Sequence, residues 1–386
     1  MRTAKLKDIT LTITDGKHGD CKNHEGSGYY FISCKDVYDE TIHYENARQI
    51  TEDDFRDADR RTNLAAYDIL ITNSGTIGRM ALVKDIPETR KTTFQKSVAI
   101  VRADTSQVVP NYLYYLLKSK VHDFINSSNG SAQKNLLLST MRDFDVSFVD
   151  SFETQHRIAT ILSRYDSLIE NYQKQIKLLE EAAQRLYKEW FVDLHFPGHE
   201  NTNIIDGVPE GWKKMPVDSI YSIKYGKNLS TKLITPTGKY PVYGANGVIG
   251  YYNVANCNNQ VVLITSRGNG SGDVLMTYHK DSFITNNSFV VSPLDDYSYC
   301  QLPFTYQFLK NANFRAVRTG AAQPQLTNQS IHTVDVILPS KGIIIDYCNK
   351  AFYSNKKIII LRIQIRLLTE ARDRLLPKLM SGEITV

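Results

Sequence analysis

The second half of this 386-residue chain repeats the plan of the first half, and this repeat limits the folds that the chain can adopt. The segment Gly130-Ser-Ala-Gln-Lys-Asn-Leu136 returns as Gly320-Ala-Ala-Gln-Pro-Gln-Leu326, a shift of 190 residues. At nearly the same shift, Ile71-Thr72 before a glycine-rich turn returns as Ile264-Thr265. A long helical pattern follows each half. The repeat predicts two similar modules and two similar spacers, an arrangement suited to recognising two similar things a fixed distance apart.

Composition and cysteine usage predict a soluble, cytoplasmic protein. Apolar residues make up 42% of the sequence, enough for packed cores, and no apolar run approaches membrane-spanning length. The five cysteines form no Cys-x-x-Cys pair and are odd in number, which favours reduced thiols over a disulfide framework. The net charge of +5 is compatible with a nucleic-acid partner but does not require one.

The pattern predicts an α+β fold in which two mixed α/β domains alternate with two long helices. Residues 68–72 and 97–101 are predicted buried strands of the first domain, and residues 261–265 and 289–291 are their counterparts in the second. The predicted boundaries are 1–150 for the first domain, 151–196 for the central helix, 197–211 for a linker, 212–339 for the second domain and 340–386 for the C-terminal helix.

The two long helices carry matching apolar seams. Apolar residues recur in alternating steps of four and three along residues 151–191, as in a coiled coil, and residues 340–386 repeat the pattern with Arg372 at the place of Ala183. Matching seams predict that the helices pack on each other; the alternative is that each seam packs on its own domain. Pro377 is predicted to end or kink the second helix near Leu376. The residues predicted to pack between the helices are Ile158, Leu162, Ile169, Ile176, Leu179, Leu186, Ile358, Leu361, Ile365, Leu368 and Leu375.

Two kinds of loop are the candidate binding segments. Glycine-rich turns follow a predicted strand at 73–79 and at 266–272, where small residues let backbone amides approach a phosphate and nearby arginines can contact phosphate or guanine. Polar loops at 126–135 and 315–325 are rich in amides, hydroxyls and cations, the groups that read base edges. Plain hairpins and solvated loops would look similar, but recurrence in both halves favours a function. The candidate contact residues in and around these loops are Lys17, Asn73, Ser74, Arg79, Lys96, Gln133, Lys134, Asn135, Arg267, Asn269, Asn287, Arg315, Arg318, Gln323 and Gln325.

No catalytic centre is recognisable in the sequence. It contains no Asn-Pro-Pro-aromatic motif for amino-methyl transfer, and neither His24-Glu25 nor His199-Glu200 has the second histidine of a zincin site. The nine histidines show no metal-ligand spacing, and Gly-x-Ser-x-Gly is absent. We therefore expect no catalytic residue and no metal site.

Along nearly its whole length, the sequence resembles the specificity subunits of Type I restriction–modification systems. Ile13-Thr-Asp-Gly-Lys-His18 and Gly28-Tyr-Tyr-Phe-Ile-Ser33 are similar to the start of one common type of target recognition domain. Gly238-Lys-Tyr-Pro-Val-Tyr-Gly-Ala-Asn-Gly247 resembles a second type. Glu189-Trp-Phe-Val-Asp193 and Leu375-Leu-Pro-Lys-Leu-Met-Ser-Gly-Glu-Ile384 look like the ends of the two family helices. One departure is that the Gly-x-Pro-x-Gly-Trp segment, present at 207–212, is absent before the first domain.

The resemblance implies two target recognition domains that each bind one half of a bipartite DNA site, held apart by two antiparallel coiled-coil helices in a pseudo-twofold repeat. It further implies a non-catalytic subunit that recruits two modification subunits and two ATP-driven restriction subunits. S-adenosylmethionine, ATP and Mg are then expected in the partners, with no cofactor bound by this chain. Two alternatives stay open: a self-sufficient methyltransferase or endonuclease, and a coiled-coil adaptor that binds only protein.

Overall fold

The computed structural model describes residues 1–128, 135–320 and 323–386, and it divides the chain into two compact units. The first unit consists of Met1–Leu168 and Leu368–Val386, and the second unit is Ile169–Leu367. Two long helices, Phe152–Phe191 and Lys341–Ser381, each contribute one part to each unit. No helix of the described residues is both long enough and apolar enough to cross a membrane.

The globular part of the first unit is built from short strands and helices. Its strands are β1 (Arg2–Lys5), β2 (Thr10–Asp15), β3 (Tyr30–Ile32), β4 (Val37–Tyr38), β5 (Thr41–Ile42), β6 (Arg48–Gln49), β7 (Ile69–Thr72), β8 (Met80–Leu82), β9 (Thr92–Phe94), β10 (Val98–Ala103) and β11 (Asp145–Phe148). Its helices are α1 (Glu52–Thr62), α2 (Pro110–Ser119), α3 (Val121–Asn126) and α4 (Leu138–Arg142). The first long helix, Phe152–Phe191, is α5.

Two sheets form the framework of this unit. One has the order β2-β10-β7-β8 with antiparallel neighbours, and the other has the order β6-β3-β9 with β3 parallel to β9. All four side chains of β7 are buried, as expected of the β-branched run that predicted it. The helix α2 begins at Pro110. Proline fits the first helical turn because a backbone N–H at that position would have no partner within the helix, and proline has no N–H. Its Tyr112 and Leu116 are buried in the core.

The second unit repeats this topology. Its strands are β12 (Ile204–Ile205), β13 (Val208–Pro209), β14 (Lys213–Pro216), β15 (Tyr221–Tyr225), β16 (Tyr240–Gly244), β17 (Gly247–Tyr252), β18 (Val262–Thr265), β19 (Val274–Met276), β20 (Phe283–Ile284), β21 (Ser288–Pro293) and β22 (Asp335–Leu338). Its helices are α6 (Leu302–Asn311) and α7 (Asn328–His332), and the second long helix, Lys341–Ser381, is α8. The sheet orders are β15-β21-β18-β19 and β17-β16-β20, with β16 parallel to β20. The sequence repeat therefore corresponds to a repeated strand order.

Within each unit the two long helices contact each other and the core. In the first unit Ile158 and Leu162 of α5 share a cluster with Leu375 and Leu379 of α8 and with the residues of α2. In the second unit α5 and α8 form a separate apolar cluster whose members are Tyr172, Ile176, Leu179, Ile358, Leu361 and Ile365. The seam thus packs on the other helix and, at its ends, on the globular part as well.

The remaining predicted seam residues lie elsewhere. Leu186 packs against the core of the second unit, next to Tyr187 and Trp190. Ile169 and Leu368 are partly buried and belong to none of the apolar clusters of the described residues.

The sequence predicts that Pro377 ends or kinks the second helix, and the first of these two outcomes is wrong. The helix α8 continues through Pro377 to Ser381. Proline has a helical φ, but it removes the hydrogen bond to the carbonyl of residue i−4, and its ring crowds that carbonyl. Here that carbonyl belongs to Asp373, in the last turns of the helix, where apolar packing of Leu376 and Leu379 against the first unit keeps the chain helical.

Candidate nucleic-acid interface

The glycine-rich loop of the first unit, residues 73–79, connects β7 to β8 and is held by three backbone hydrogen bonds. The amide of Asn73 donates to the Ser97 carbonyl at 3.0 Å, and the amide of Gly78 donates to the Thr72 carbonyl at 2.9 Å. The amide of Leu136, from the polar loop, donates to the Asn73 carbonyl at 2.8 Å. Gly78 has a φ of 88°, which favours glycine, and a Cβ there would lie 2.9 Å from Val121.

The loop of the second unit, residues 266–273, is held by the same three bonds. The Ser266 amide donates to the Asn287 carbonyl at 2.8 Å, and the Gly272 amide donates to Thr265 at 2.9 Å. The Leu326 amide donates to the Ser266 carbonyl at 2.8 Å. Because these bonds join equivalent positions, the two sequence repeats anchor their loops in the same way, although the second loop is longer and carries different side chains. Each unit also joins its glycine-rich loop to its polar loop, by the bridges Ser74–Asn135 and Arg267–Gln325.

A Gly-Lys pair lies beside each loop. The amide of Lys17 donates to the Phe94 carbonyl at 2.8 Å, and the amide of Lys227 donates to the Ile284 carbonyl at 3.0 Å. A Cβ at either preceding glycine, Gly16 or Gly226, would overlap a backbone carbonyl, so the close approach requires glycine. Lys227 therefore stands at the second unit's equivalent of Lys17.

Lys227 was missed among the candidate residues. The repeated Gly-Lys pair at 16–17 and 226–227 is the signal that could have identified it.

Four cations near the loops are exposed, and no carboxylate of the described residues pairs with any of them. They are Arg79 and Lys96 in the first unit and Lys227 and Arg267 in the second. Exposed cations without a partner can contact phosphate at little desolvation cost, and arginine can also bind guanine through two hydrogen bonds. These residues are the strongest candidates for DNA contacts in the structure.

Three other predicted cations are already engaged. Lys17 lies 3.0 Å from Asp57 of α1, and this hydrogen bond raises the pKa of the lysine. Arg315 donates from Nε to Asp273 Oδ1 at 3.0 Å. Arg318 donates from Nε to the Arg315 carbonyl at 3.0 Å. Their geometry supports a role in shaping the loops, because a DNA phosphate would have to compete with these intramolecular partners.

The predicted amides and hydroxyl differ in exposure. Asn135, Asn269, Gln323 and Gln325 are exposed, whereas Ser74 and Asn287 are partly buried. Asn73 is buried, and its side-chain oxygen has no hydrogen-bond partner in the described part of the chain. Gln133 and Lys134 lie outside the described residues.

A charged network lies beside the first loop. The Arg372 guanidinium is only 4% exposed and donates to both oxygens of Glu40, at 2.7 and 2.8 Å, and to Asp166. The Lys118 ammonium lies 2.6 Å from Glu40, and the Tyr115 hydroxyl donates to Asp166. Burial lowers the pKa of Lys118, although Glu40 opposes this effect. Burial likewise acts to lower the pKa of Arg372, but the carboxylates of Glu40, Asp166 and the adjacent Asp373 raise it above its usual value.

The network borders a cleft of about 700 Å³ that Arg79 also lines. It therefore joins the neighbourhood of the first loop to both long helices. Periodicity indicated Arg372 only as an exception in the apolar seam, and the structure shows that this exception is a buried ion-pair centre.

The residues that the structure describes contain no group of three or more His, Cys, Asp or Glu side chains that could hold a metal ion. The functional features found among the described residues of the two units are exposed cations and amides on hydrogen-bonded loops. That arrangement suits binding of a polyanion rather than a bond-breaking reaction.

The comparisons with known proteins agree with this geometry. The family model described as the Type I restriction modification DNA specificity domain matches residues 2–181 and 209–361. A Type I restriction enzyme specificity subunit of Methanocaldococcus jannaschii, MjaIX, is 28% identical over 415 residues, covering 99% of this chain and 93% of the relative. The HindI specificity subunit of Haemophilus influenzae is 22% identical over 74% of this chain and 80% of its own length.

A solved structure has the same fold. The crystal structure of a Type I restriction–modification S subunit from M. genitalium aligns with a TM-score of 0.58 and 19% identity, covering 98% of this chain and 96% of that chain. The family resemblance drawn from the sequence is confirmed, and the relatives are named specificity subunits rather than catalytic ones. With the family model matching most of its length, the chain belongs to the family of Type I restriction–modification DNA specificity proteins.

Proposed function

We propose that this chain is the DNA-reading subunit of a Type I restriction–modification complex and that each unit reads one half of a bipartite DNA site. The observation that carries the proposal is the shared loop framework with different side chains at equivalent positions. Ser74 and Asn135 of the first unit correspond to Arg267 and Gln325 of the second, within the same backbone bonds. Equal frameworks give equal docking on the duplex, and unequal side chains read different bases.

The long helices supply the spacing in this proposal. The helices α5 and α8 act as an antiparallel coiled-coil spacer related by a pseudo-twofold repeat, with the predicted domains on either side. The apolar cluster of Ile176, Ile358 and Leu361 supports it, since it is a direct contact between the two helices inside the second unit. The spacing places the half-sites about one helical turn, 34–36 Å, apart.

The chain works with other subunits in this proposal. Two modification subunits bind S-adenosylmethionine and two restriction subunits use ATP and Mg, in the cytoplasm, while this chain binds no cofactor. The absence of recognisable methylation motifs in the sequence supports the division of labour. A self-sufficient methyltransferase predicts methylation of DNA by the purified chain alone, and a protein-only adaptor predicts no shift of duplex DNA when the modification subunits are present.

The deciding experiment exchanges one unit. Residues 200–339 are replaced by the same region of a relative with a different target, and the methylated bases in the host genome are sequenced. The expected result is a methylation motif with one half changed and the other half retained. A motif in which both halves change would contradict the assignment of one half-site to each unit. A matched control replaces Lys232, an exposed residue outside the loops, by alanine and should leave the motif unchanged.

A further inference from the structure

The second unit contains a cavity of about 310 Å³ between its globular part and the two long helices. Its walls include Tyr243, Tyr278, Tyr306, Gln307 and Asn355. Ala183 of α5 also lines it. The volume is at the lower end of the range of about 300–1,000 Å³ typical of small-molecule sites, so it suits one compact ring system.

The sequence repeat allows the residues that line this cavity to be compared with the equivalent residues of the first unit. Aligning α2 with α6 and α5 with α8 makes Tyr115, Asp166 and Arg372 equivalent to Gln307, Asn355 and Ala183. In the first unit Asp166 accepts hydrogen bonds from both of the other two side chains, Tyr115 and Arg372. In the second unit the phenol and the carboxylate are replaced by amides and the guanidinium by a methyl group, and no hydrogen bond between Gln307 and Asn355 is found among the described residues.

The polar chemistry of the cavity is incomplete. Gln307 is 4% exposed, and its Oε1 has no hydrogen-bond donor within the described ranges. A buried acceptor without a donor is costly, so this atom is suited to a ligand that supplies an N–H. The charged residues of the lining, Glu180 and Arg362, pair with each other at 2.7 Å. The cavity therefore favours a neutral ligand.

The aromatic walls of the cavity favour a flat ring as the ligand. Four tyrosines, Tyr243, Tyr278, Tyr306 and Tyr347, line the cavity, and a flat ring can pack against their faces. Amide side chains match the hydrogen-bonding edge of adenine, which offers an exocyclic amine beside a ring-nitrogen acceptor. Stacking on aromatic side chains combined with amide recognition is the way that proteins hold a single base outside a helix.

The cavity also shares a wall with the glycine-rich loop of the second unit. Asn246 lines the cavity, and its Oδ1 lies 3.2 Å from where a Cβ of Gly270 would be. The Thr265 hydroxyl donates to the carbonyl of Ala245 at 2.7 Å, tying the end of β18 to the same turn. Occupancy of the cavity can therefore act on the loop that carries Arg267.

We propose that the cavity of the second unit binds an adenine-type purine ring, with Gln307 Oε1 accepting a hydrogen bond from the exocyclic amine. The ring comes either from a free nucleoside or nucleotide or from a base extruded from bound DNA. Only the second source rests on the proposed DNA-reading function.

The first arm of the test titrates the purified full chain with adenosine and with inosine, which lacks the exocyclic amine. Adenosine should bind and raise the melting temperature with concentration, and inosine should bind about tenfold more weakly. In Gln307→Leu, adenosine affinity should fall about tenfold and the difference between the two nucleosides should disappear. Ala183→Arg combined with Asn355→Asp introduces the ion pair found at the equivalent place in the first unit and should abolish binding, while Lys232→Ala should not change it.

The second arm keeps every adenine of the second half-site in duplex DNA and measures permanganate oxidation of the thymine opposite each one, which becomes unpaired when the adenine is extruded. A rise in oxidation that is lost in Gln307→Leu assigns the ring to DNA. Adenosine binding without such a rise assigns it to a free nucleoside. Failure of the DNA to bind at all would overturn the proposed function and leave the adenosine result to decide the cavity.

The purine proposal is overturned if neither arm gives a signal that depends on Gln307 while the melting temperature shows that the Gln307→Leu variant is folded.

Discussion

Replacing Arg372 by methionine tests whether the charged network holds the first unit together. Methionine keeps an unbranched apolar stem but removes the charged guanidinium. It leaves Glu40 and Asp166, whose side chains are 34% and 28% exposed, without their main cation. Glu40 keeps Lys118 and Asp166 keeps the Tyr115 hydroxyl, so neither carboxylate is left entirely unpaired.

The expected loss in the free energy of unfolding follows from that arrangement. Breaking a buried ion pair costs about 3–5 kcal/mol, and the remaining partners and partial exposure place Arg372→Met near the lower end, about 3 kcal/mol. For a unit of this size each kcal/mol corresponds to about 2–4 °C, so the melting temperature of the first unit should fall by about 6–12 °C. Adding Asp166→Asn should recover part of the loss, because it removes the carboxylate that keeps the neutral Tyr115 hydroxyl as its partner and no cation.

The measurement is thermal unfolding by circular dichroism, with hydrogen exchange locating the loss. Faster exchange is expected in α2 and in the β4–β5 hairpin that carries Glu40. The control is Arg157→Met, which breaks an exposed pair with Glu153 on α5 and should cost about 0.5 kcal/mol or less. If Arg372→Met cost no more than this control, the network would not be a stabilising centre.

Three further predictions concern the loops, the helices and a buried histidine. Arg267→Ala should weaken DNA binding by about 1–3 kcal/mol. Arg315→Ala should weaken it less, because the Arg315 side chain is already bonded to Asp273. Equal losses of affinity for the two variants in a gel-shift titration would contradict this distinction. Adding seven residues to both α5 and α8 lengthens them by roughly 10 Å. That is about three base pairs, so the methylation motif should gain about three unspecified bases between its halves; an unchanged gap with activity retained would mean that the helices do not set the spacing. Burial, together with the positive charge of Arg366, lowers the pKa of His279 from an ordinary 6.5 to about 4. The unfolded chain therefore binds the proton more readily than the folded chain. The free energy of unfolding should fall as the pH drops from about 6.5 toward 4. Urea unfolding at pH 7 and pH 5 should show a smaller pH-dependent loss in His279→Gln than in the natural protein, and an equal loss would refute the assignment.

The features that could be predicted from sequence are those with local or repeated signals. The helix predicted from 151 to 191 is observed at Phe152–Phe191, because a long unbroken apolar seam has one plausible structure. The loop framework followed from the repeat, since the same glycines and the same strand ends recur in both halves. The DNA contacts themselves stay a prediction.

The features that could not be predicted depend on partners distant in sequence. Arg315 pairs with Asp273, which stands in the second loop at the position of Arg79 in the first, and the changed loop length hides that equivalence. Lys17 is neutralised by α1, a helix whose acidic residues gave no signal of a partner. Arg372 meets Glu40 across 332 residues of sequence, a contact that no local pattern encodes.

The division of the first unit into two chain segments has a consequence for synthesis. Its core includes Leu376, Leu379 and Met380 as well as residues of the first 168, and the second unit is one continuous insertion between them. At translation rates of about 5–20 residues per second, the early segment waits roughly 10–40 s before the residues that complete its core emerge from the ribosome. The continuous unit can fold first even though it is made second. Genetic exchange can likewise transfer the second unit as a single continuous segment. An exchanged first unit would instead have to complete its core with the C-terminal helix of the recipient chain.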